Sequence, residues 1–136
     1  MSGYRPAYLD TSALVKLIVS EAESVALWDW LDEWPDRFTS TLAHVETLRT
    51  LRRRKAAART LARAEAVLTA IEAVHVDRPV LTAAAQFKDP MLRSLDAIHL
   101  ASALAIGDVP EAFVTYDTRL ASAARRMKIT VRAPGA

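Results

Sequence analysis

Four acidic residues are the strongest candidates for chemistry in this sequence of 136 residues. Asp10 and Asp117 each follow a strand-like segment. Asp96 lies in the first turn of a predicted helix, and Glu46 lies inside another. Four carboxylates in one cleft repel one another unless cations neutralise them, and hard oxygen ligands favour Mg²⁺ or Mn²⁺. Two such ions about 4 Å apart stabilise the attacking and leaving oxygens of phosphodiester hydrolysis. If the four acids converge, the sequence predicts a metal-dependent phosphodiester hydrolase.

Each of these acids also has a purely local interpretation. Asp10 and Asp117 are placed to cap the helix that follows each of them. Asp96 lies near a helix N-terminus, where its charge offsets the helix dipole, and its apolar neighbours predict that it is largely buried. Glu46 has Arg49 three residues later, at the spacing of an ion pair on one helix. Residue spacing alone leaves the local and the metal-binding interpretations both open.

Strand-like and helix-like segments alternate along the chain. Apolar and β-branched runs predict strands at 8–9, 37–40, 74–76, 112–116 and 129–132, and helical spacing of apolar residues predicts helices at 12–19, 23–34, 41–55, 59–72, 80–87, 94–106 and 118–127. This alternation predicts an α/β fold, a single-domain three-layer α/β/α sandwich with a mostly parallel central sheet. Functional groups gather at the carboxyl ends of parallel strands, so Asp10 and Asp117 are expected at the same edge.

Length and composition restrict the class of protein. The chain has the length of one domain, 1–136, and its 51% of hydrophobic residues suffices for one core. Cysteine is absent, which excludes a disulfide framework, a thiolate metal site and a cysteine nucleophile. Residues 1–6 lack the layout of a signal peptide, and no apolar run reaches the length of a membrane span. We therefore expect a cytoplasmic protein with no membrane partner.

The segments around the four acids resemble the motifs of a known family. They are 9–16 (LDTSALVK), 40–46 (STLAHVE), 95–101 (LDAIHLA) and 114–121 (VTYDTRLA), and they span most of the chain. This order and context resemble those of PIN domains. The third motif is fairly specific by itself, and the four together are a strong signature. At this length the chain looks like the VapC family, the toxins of bacterial type II toxin–antitoxin pairs.

The resemblance carries functional implications. It implies endonucleolytic cleavage of RNA, often a structured RNA such as tRNA, with Mg²⁺ or Mn²⁺ as the cofactor. The catalytic metal ligands that it implies are Asp10, Glu46, Asp96 and Asp117. The hydroxyl of Thr115 is implied to assist, and that of Ser12 could do the same. The resemblance also implies a homodimer and a VapB-like antitoxin whose tail blocks the acidic cleft.

Three other functions fit parts of the sequence. A phosphatase with an aspartate nucleophile after its first strand needs a second acid two residues later, where this chain has Ser12. A response-regulator receiver needs a phospho-acceptor aspartate after a central strand. Asp77 is the candidate, and its neighbours Arg78 and Pro79 fit that role poorly. A non-catalytic RNA- or protein-binding PIN scaffold is the remaining alternative, although clustered acids give such a module no advantage toward RNA.

Several other side chains have two interpretations each. The basic run 52–55 either contacts RNA phosphates or forms a solvated helix end. His99, three residues after Asp96, is interpreted as a partly buried structural histidine, because the metal mechanism requires no imidazole. Trp30 and Trp34 share a face of the predicted second helix, which favours packing in the core or at a protein interface.

Overall fold

The computed structural model describes residues 5–107 and 111–136. Residues 1–4, part of the segment where no signal peptide is expected, lie outside the described residues. The elements in chain order are β1 (Pro6–Leu9), α1 (Thr11–Ile18), α2 (Ser24–Leu31), β2 (Asp36–Ser40), α3 (Thr41–Arg53), α4 (Ala58–Thr69), β3 (Glu72–Val74), α5 (Arg78–Ala85), α6 (Ser94–Leu104), β4 (Ala112–Val114), α7 (Thr118–Arg126) and β5 (Val131–Arg132). Among the described residues, no helix is long and apolar enough to cross a membrane.

The five strands form one sheet in the order β3-β2-β1-β4-β5. Every pairing in it is parallel, so the predicted mostly parallel sheet is confirmed. The first strand, β1, lies in the centre, between β2 and β4. The carboxyl ends of these three strands therefore meet at one edge of the sheet.

Alternation along β1 supplies both faces of the sheet with core residues, because successive strand side chains point to opposite faces. Ala7 and Leu9 are fully buried in a cluster with Leu14 of α1. Tyr8, also fully buried, belongs to a second cluster with Leu100 of α6. Helices thus cover the sheet on both faces, as the predicted α/β/α sandwich requires.

Polar side chains begin several of the helices. Oxygens of Asp10, Ser40 and Asp117 accept backbone N–H bonds from the first turns of α1, α3 and α7. The local interpretation of Asp10 and Asp117 is therefore correct. Capping and a place at the functional edge are compatible, because each helix follows a strand directly and begins at that edge.

Several predicted elements differ from the structure by a few residues at their ends, and two of these differences have a clear physical reason. The second helix stops at Leu31 rather than at residue 34, since the next N–H groups bond three residues back and Pro35 disfavours helical backbone at Trp34. Trp34 turns into the core, 7% exposed, and its ring stacks on Trp30 at 4.6 Å between centroids. The third strand covers 72–74 rather than 74–76, because Val74 is the last residue paired with β2.

Candidate active site

All four predicted acids line one cavity of about 420 Å³. They reach it from different elements: Asp10 directly follows β1, Glu46 projects from α3, Asp96 from the first turn of α6, and Asp117 caps α7. The convergence that the spacing left open is therefore present in the structure. The assignment of these carboxylates as metal ligands stays a prediction.

Asp10 is the most deeply buried of the four, at 3% exposure. Its Oδ1 accepts hydrogen bonds from Ser12 Oγ at 2.6 Å and Ala13 N at 3.0 Å, and its Oδ2 accepts one from Thr115 Oγ1 at 2.5 Å. Burial raises the pKa of the Asp10 carboxyl, although the charge of His99 and these hydrogen bonds act in the opposite direction. A cation in the cavity would oppose the effect of burial on this group.

Glu46 is held through one of its two oxygens. Oε1 accepts hydrogen bonds from Thr11 Oγ1 at 2.6 Å and from His99 Nε2 at 2.7 Å, and no hydrogen bond to Oε2 is found within the described residues. Burial acts to raise the pKa of Glu46, but hydrogen bonds from His99 and Thr11 outweigh it and lower this pKa. The ion pair considered with Arg49 does not form in the described structure. The partner of Glu46 comes from α6 instead.

His99 connects Glu46 to the buried core. It is 4% exposed, and its Nδ1 lies 2.8 Å from the hydroxyl of Tyr8, a fully buried residue of β1. Because a carboxylate oxygen only accepts hydrogen bonds, Nε2 carries a proton and donates to Glu46. Burial acts to lower the pKa of His99, but the hydrogen bond to Glu46 and nearby negative charges, first that of Asp10, raise it overall. This histidine is thus more buried than expected, and it also lines the cavity.

Asp96 and Asp117 differ in how they are held. Asp117 Oδ1 accepts N–H bonds from Arg119 at 2.9 Å and Leu120 at 3.3 Å. Asp96 is partly rather than largely buried, and its carboxylate has no hydrogen bond or ion pair among the described residues. Burial and then the charge of Asp117 raise the pKa of Asp96. Asp96 is therefore the least compensated carboxylate of the four.

Two hydroxyls hold Asp10 in place, that of Ser12 in the cavity wall and that of Thr115 outside it. Thr115, 1% exposed, donates to Asp10 and accepts a hydrogen bond from the backbone N–H of Asp117 at 3.0 Å. Ser12 donates to Asp10 and accepts from the backbone N–H of Tyr116 at 2.9 Å. Thr115 is not part of the cavity wall, so it reaches the site through Asp10. A direct catalytic role for its hydroxyl stays a prediction.

The donor set is that of a hard divalent cation. In residues 5–107 and 111–136, no three His, Cys, Asp or Glu side chains lie close enough together to enclose an ion by themselves. Mg²⁺ keeps several waters and is bound through one or two carboxylates plus substrate phosphates. Glu46 Oε2 and the carboxylate of Asp96 have no hydrogen-bond partner among the described residues and suit such open coordination. With cysteine absent, no thiolate ligand is available. The residues present therefore fit Mg²⁺ or Mn²⁺.

Basic side chains line another part of the same cavity. Lys16 and Arg54 contribute to its wall together with Glu21. Arg54 belongs to the predicted basic run, and the other members of the run, residues 52, 53 and 55, are exposed. The cavity thus combines an acidic part with a basic one.

Comparison with known protein families supports the assignment made from the four motifs. The sequence profile of the PIN domain family matches residues 7–126. The chain belongs to the PIN domain family. Among curated PIN relatives from Mycobacterium tuberculosis, ribonuclease VapC35 is 45% identical over 132 residues, covering 94% of this chain and 96% of the relative. Ribonuclease VapC47 is 41% identical over 133 residues, covering 95% and 97%. These identities identify the chain as a PIN-domain protein of the VapC family.

Solved VapC structures share the PIN fold of this chain. VapBC2 from Rickettsia felis, bound to a DNA fragment from its promoter, superposes with a TM-score of 0.74 at 12% identity, over 95% of this chain and 98% of that one. VapC20 from Mycobacterium tuberculosis, described as a sarcin–ricin loop cleaving toxin, gives 0.69 at 22% identity, over 86% and 94%. The predicted fold class is thereby confirmed.

Some contributors to the PIN site were not predicted. Tyr8 resembles any other strand residue in the sequence, and its link to the site runs through His99, 91 positions away. Lys16 lies in the first motif, but its position in the cavity depends on the folding of α1 against the sheet. The i,i+3 spacing of Asp96 and His99 was the one available signal that the histidine shares the face of a candidate acid.

Proposed function

We propose that this protein is an endoribonuclease that hydrolyses RNA phosphodiester bonds with Mg²⁺ or Mn²⁺, and that it is the toxin of a VapBC-type pair. One observation carries the proposal: four carboxylates line a single cavity in a chain that is 45% identical to a protein named ribonuclease VapC35. In a non-catalytic binding scaffold, a carboxylate such as that of Asp96, without a partner among the described residues, would gain nothing from its position in the cavity. In a hydrolase, the same carboxylate would bind a cation there.

The proposed ligands divide into fixed and adjustable ones. Asp10 and Glu46 are oriented by hydrogen bonds from hydroxyl groups, an amide and an imidazole, so their oxygens have defined positions. Asp96 and Asp117 contribute charge with fewer constraints. When bound, the ions polarise the phosphodiester and lower the pKa of the attacking water.

The surrounding side chains hold the acids in position. The hydrogen bonds that Thr115 and Ser12 donate to Asp10 favour its charged form and oppose the rise in its pKa that burial causes. His99 and Thr11 do the same for Glu46. Loss of a partner that orients a metal ligand in this way typically costs about 10- to 100-fold in metal affinity or activity.

The proposed partners are RNA, a VapB-like antitoxin and a second copy of the chain. Among solved structures similar in fold, one is named a toxin–antitoxin complex from Klebsiella pneumoniae, and another a member of the VapBC family of toxin–antitoxin systems, VapBC-5, from Mycobacterium tuberculosis. These names describe those proteins. They support an antitoxin partner here, and the homodimer rests on membership of the same family.

The first experiment measures cleavage of total cellular RNA by the purified protein with Mg²⁺ or Mn²⁺, and with EDTA. Asp96→Asn is the informative variant, because it removes one charge without removing a hydrogen bond of the described fold. Asp29→Asn, an exposed residue of α2 outside the cavity, is the matched control. We expect discrete fragments from the wild type and from Asp29→Asn, and none in EDTA or from Asp96→Asn.

Two outcomes would count against the proposal. Undiminished cleavage by Asp96→Asn would remove that residue from the metal site. RNA binding without cleavage by the wild type, in either metal and with several RNA classes, would favour the non-catalytic PIN scaffold.

A further inference from the structure

Four charged side chains form a cluster at one side of the cavity. Lys16 Nζ lies 2.9 Å from Glu23 Oε2 and 3.4 Å from Glu21 Oε1, and Arg54 Nη1 lies 3.5 Å from Glu21 Oε2. Glu21 therefore spans the two cations, with one oxygen toward each. The cluster is close to the acids, because Lys16 also lies 4.9 Å from the ring centroid of Tyr116, whose backbone bonds to Ser12.

The two glutamates of the cluster are held differently. Glu23 makes the short contact to Lys16, and the side chains of both are largely buried, 20% and 15% exposed. Glu21 makes the two longer contacts, and its partner Arg54 has a side chain 51% exposed. Exposed ion pairs of this kind contribute between nothing and about 1 kcal/mol. Glu21 is thus the member most easily displaced.

The backbone allows Glu21 to leave without unfolding. Its N–H donates to Ser24 Oγ at 2.9 Å, and its carbonyl accepts from Ser24 N at 3.1 Å. The main chain between α1 and α2 is therefore fixed, and only the glutamate side chain has to rotate. Lys16 stays in place meanwhile, because Glu23 and the ring of Tyr116 still hold it.

We propose that Lys16 and Arg54 form a subsite for a phosphate of the RNA backbone beside the four acids, and that Glu21 occupies this subsite until RNA displaces it. The inference rests on the proposed function. A strand of RNA entering an acidic cavity needs cations for the phosphates that flank the cleaved one. Basic side chains bind carboxylates and phosphates in the same way. Two oxygens of a phosphate can therefore take the place of the two Glu21 oxygens between Lys16 and Arg54.

The test measures RNA binding in EDTA, so that cleavage cannot occur. A fluorescently labelled single-stranded RNA is titrated at several salt concentrations with Glu21→Gln, Arg54→Gln and the double variant. Glu65→Gln and Arg125→Gln are the matched controls. They make the same charge changes at exposed residues outside the cavity, Arg125 in the last turn of α7. Melting curves verify that each variant is folded.

We expect Glu21→Gln to bind RNA about two- to fivefold more tightly than Glu65→Gln, the range that one exposed ion pair allows. Its plot of log affinity against log salt should steepen by about 0.7, since a freed cation now releases counterions on binding. Arg54→Gln should weaken binding relative to Arg125→Gln, and by more in the Glu21→Gln background than in the wild type.

The proposal is overturned if Glu21→Gln matches Glu65→Gln in both affinity and salt dependence. It is equally overturned if Arg54→Gln matches Arg125→Gln in both backgrounds. Failure of the proposed function shows separately, as absence of RNA cleavage by the wild type with metal, because the binding measurements require no catalysis.

Discussion

Replacing Asp96 by asparagine should stabilise the metal-free protein although it abolishes cleavage. The Asp96 carboxylate is partly buried, has no hydrogen-bond or ion-pair partner in the described residues, and is close enough to Asp117 to be affected by its charge. Burial and that like charge raise the pKa of Asp96. The ionised form of this side chain therefore opposes folding.

The raised pKa of Asp96 determines how the stability gained in Asp96→Asn depends on pH. Below about pH 4, the pKa of an aspartate in the unfolded chain, Asp96 is protonated and the wild type keeps its full free energy of unfolding. As the pH rises through the higher folded-state pKa of Asp96, the carboxyl ionises and that stability is lost. The asparagine of the variant stays neutral at every pH, so the gain is absent in acid and complete at neutral pH. Relief of one such repulsion at a partly exposed site is worth about 0.5–1 kcal/mol. In a chain of this length that raises Tm by about 2–4 °C.

Thermal melts in EDTA and in Mg²⁺, at neutral and acid pH, provide the assay, with Asp29→Asn as the control. We expect the variant to melt above the wild type in EDTA and to gain less from Mg²⁺, because a ligand that binds only the folded state stabilises it by linkage. A lower Tm than that of the wild type in EDTA at neutral pH would refute the reasoning, since it would show that the Asp96 charge is compensated in the fold.

Three further substitutions test how the other acids are held. Thr115→Val removes the hydroxyl that donates to Asp10, and should cost about 1–3 kcal/mol in urea unfolding and lower the cleavage rate about 10- to 100-fold. Tyr8→Phe leaves the buried Nδ1 of His99 without its partner, and should cost about 1–3 kcal/mol in the same assay. Glu46→Gln should destabilise the metal-free protein at neutral pH. The lowered folded-state pKa of Glu46 contributes stability above about pH 4 that is lost as pH falls through that pKa, so melts of the two proteins should converge in acid.

Each of these three predictions has a distinct contrary result. Thr130→Val, at an exposed position, is the control for Thr115→Val, and equal stability of the two variants would show that the buried hydroxyl contributes nothing. Unchanged imidazole ¹⁵N shifts of His99 in Tyr8→Phe would mean that the phenol does not contact the ring in solution. A stability difference for Glu46→Gln that persists unchanged at low pH would exclude a role for its charge.

Local signals in the sequence predicted the order of elements and the four acids. Asp10 and Asp117 sit at strand-to-helix junctions, where the capping preference and the strand ends agree. Glu46 and Asp96 were placed on helices by apolar spacing that depends on nearby residues alone. Because all the described strands pair in parallel, this placement brings Asp10 and Asp117 to one edge of the sheet. The resemblance to PIN domains, and not local spacing, implied that Glu46 and Asp96 join them there.

The hydrogen-bond partners of the acids could not be predicted in the same way. Glu46 is bonded by His99, 53 positions away, although Arg49 lies closer along the chain. The choice depends on how α3 and α6 pack across the sheet, which no local pattern encodes. The prediction for the end of α2 was wrong for a related reason, since Trp34 continues the helical spacing of apolar residues but is buried in the core outside the helix.

The central position of β1 has a consequence for the timing of activity during synthesis. Asp10 leaves the ribosome early, but Thr115, which fixes its carboxylate, follows 105 positions later. The strand that delivers Thr115, β4, is β1's neighbour on one side, and it is made after every other strand but β5. A nascent chain therefore carries an incomplete cavity until Thr115 has been made. If the protein is a toxin, its site is unfinished throughout the synthesis of the intervening residues, and an antitoxin has that interval in which to be present.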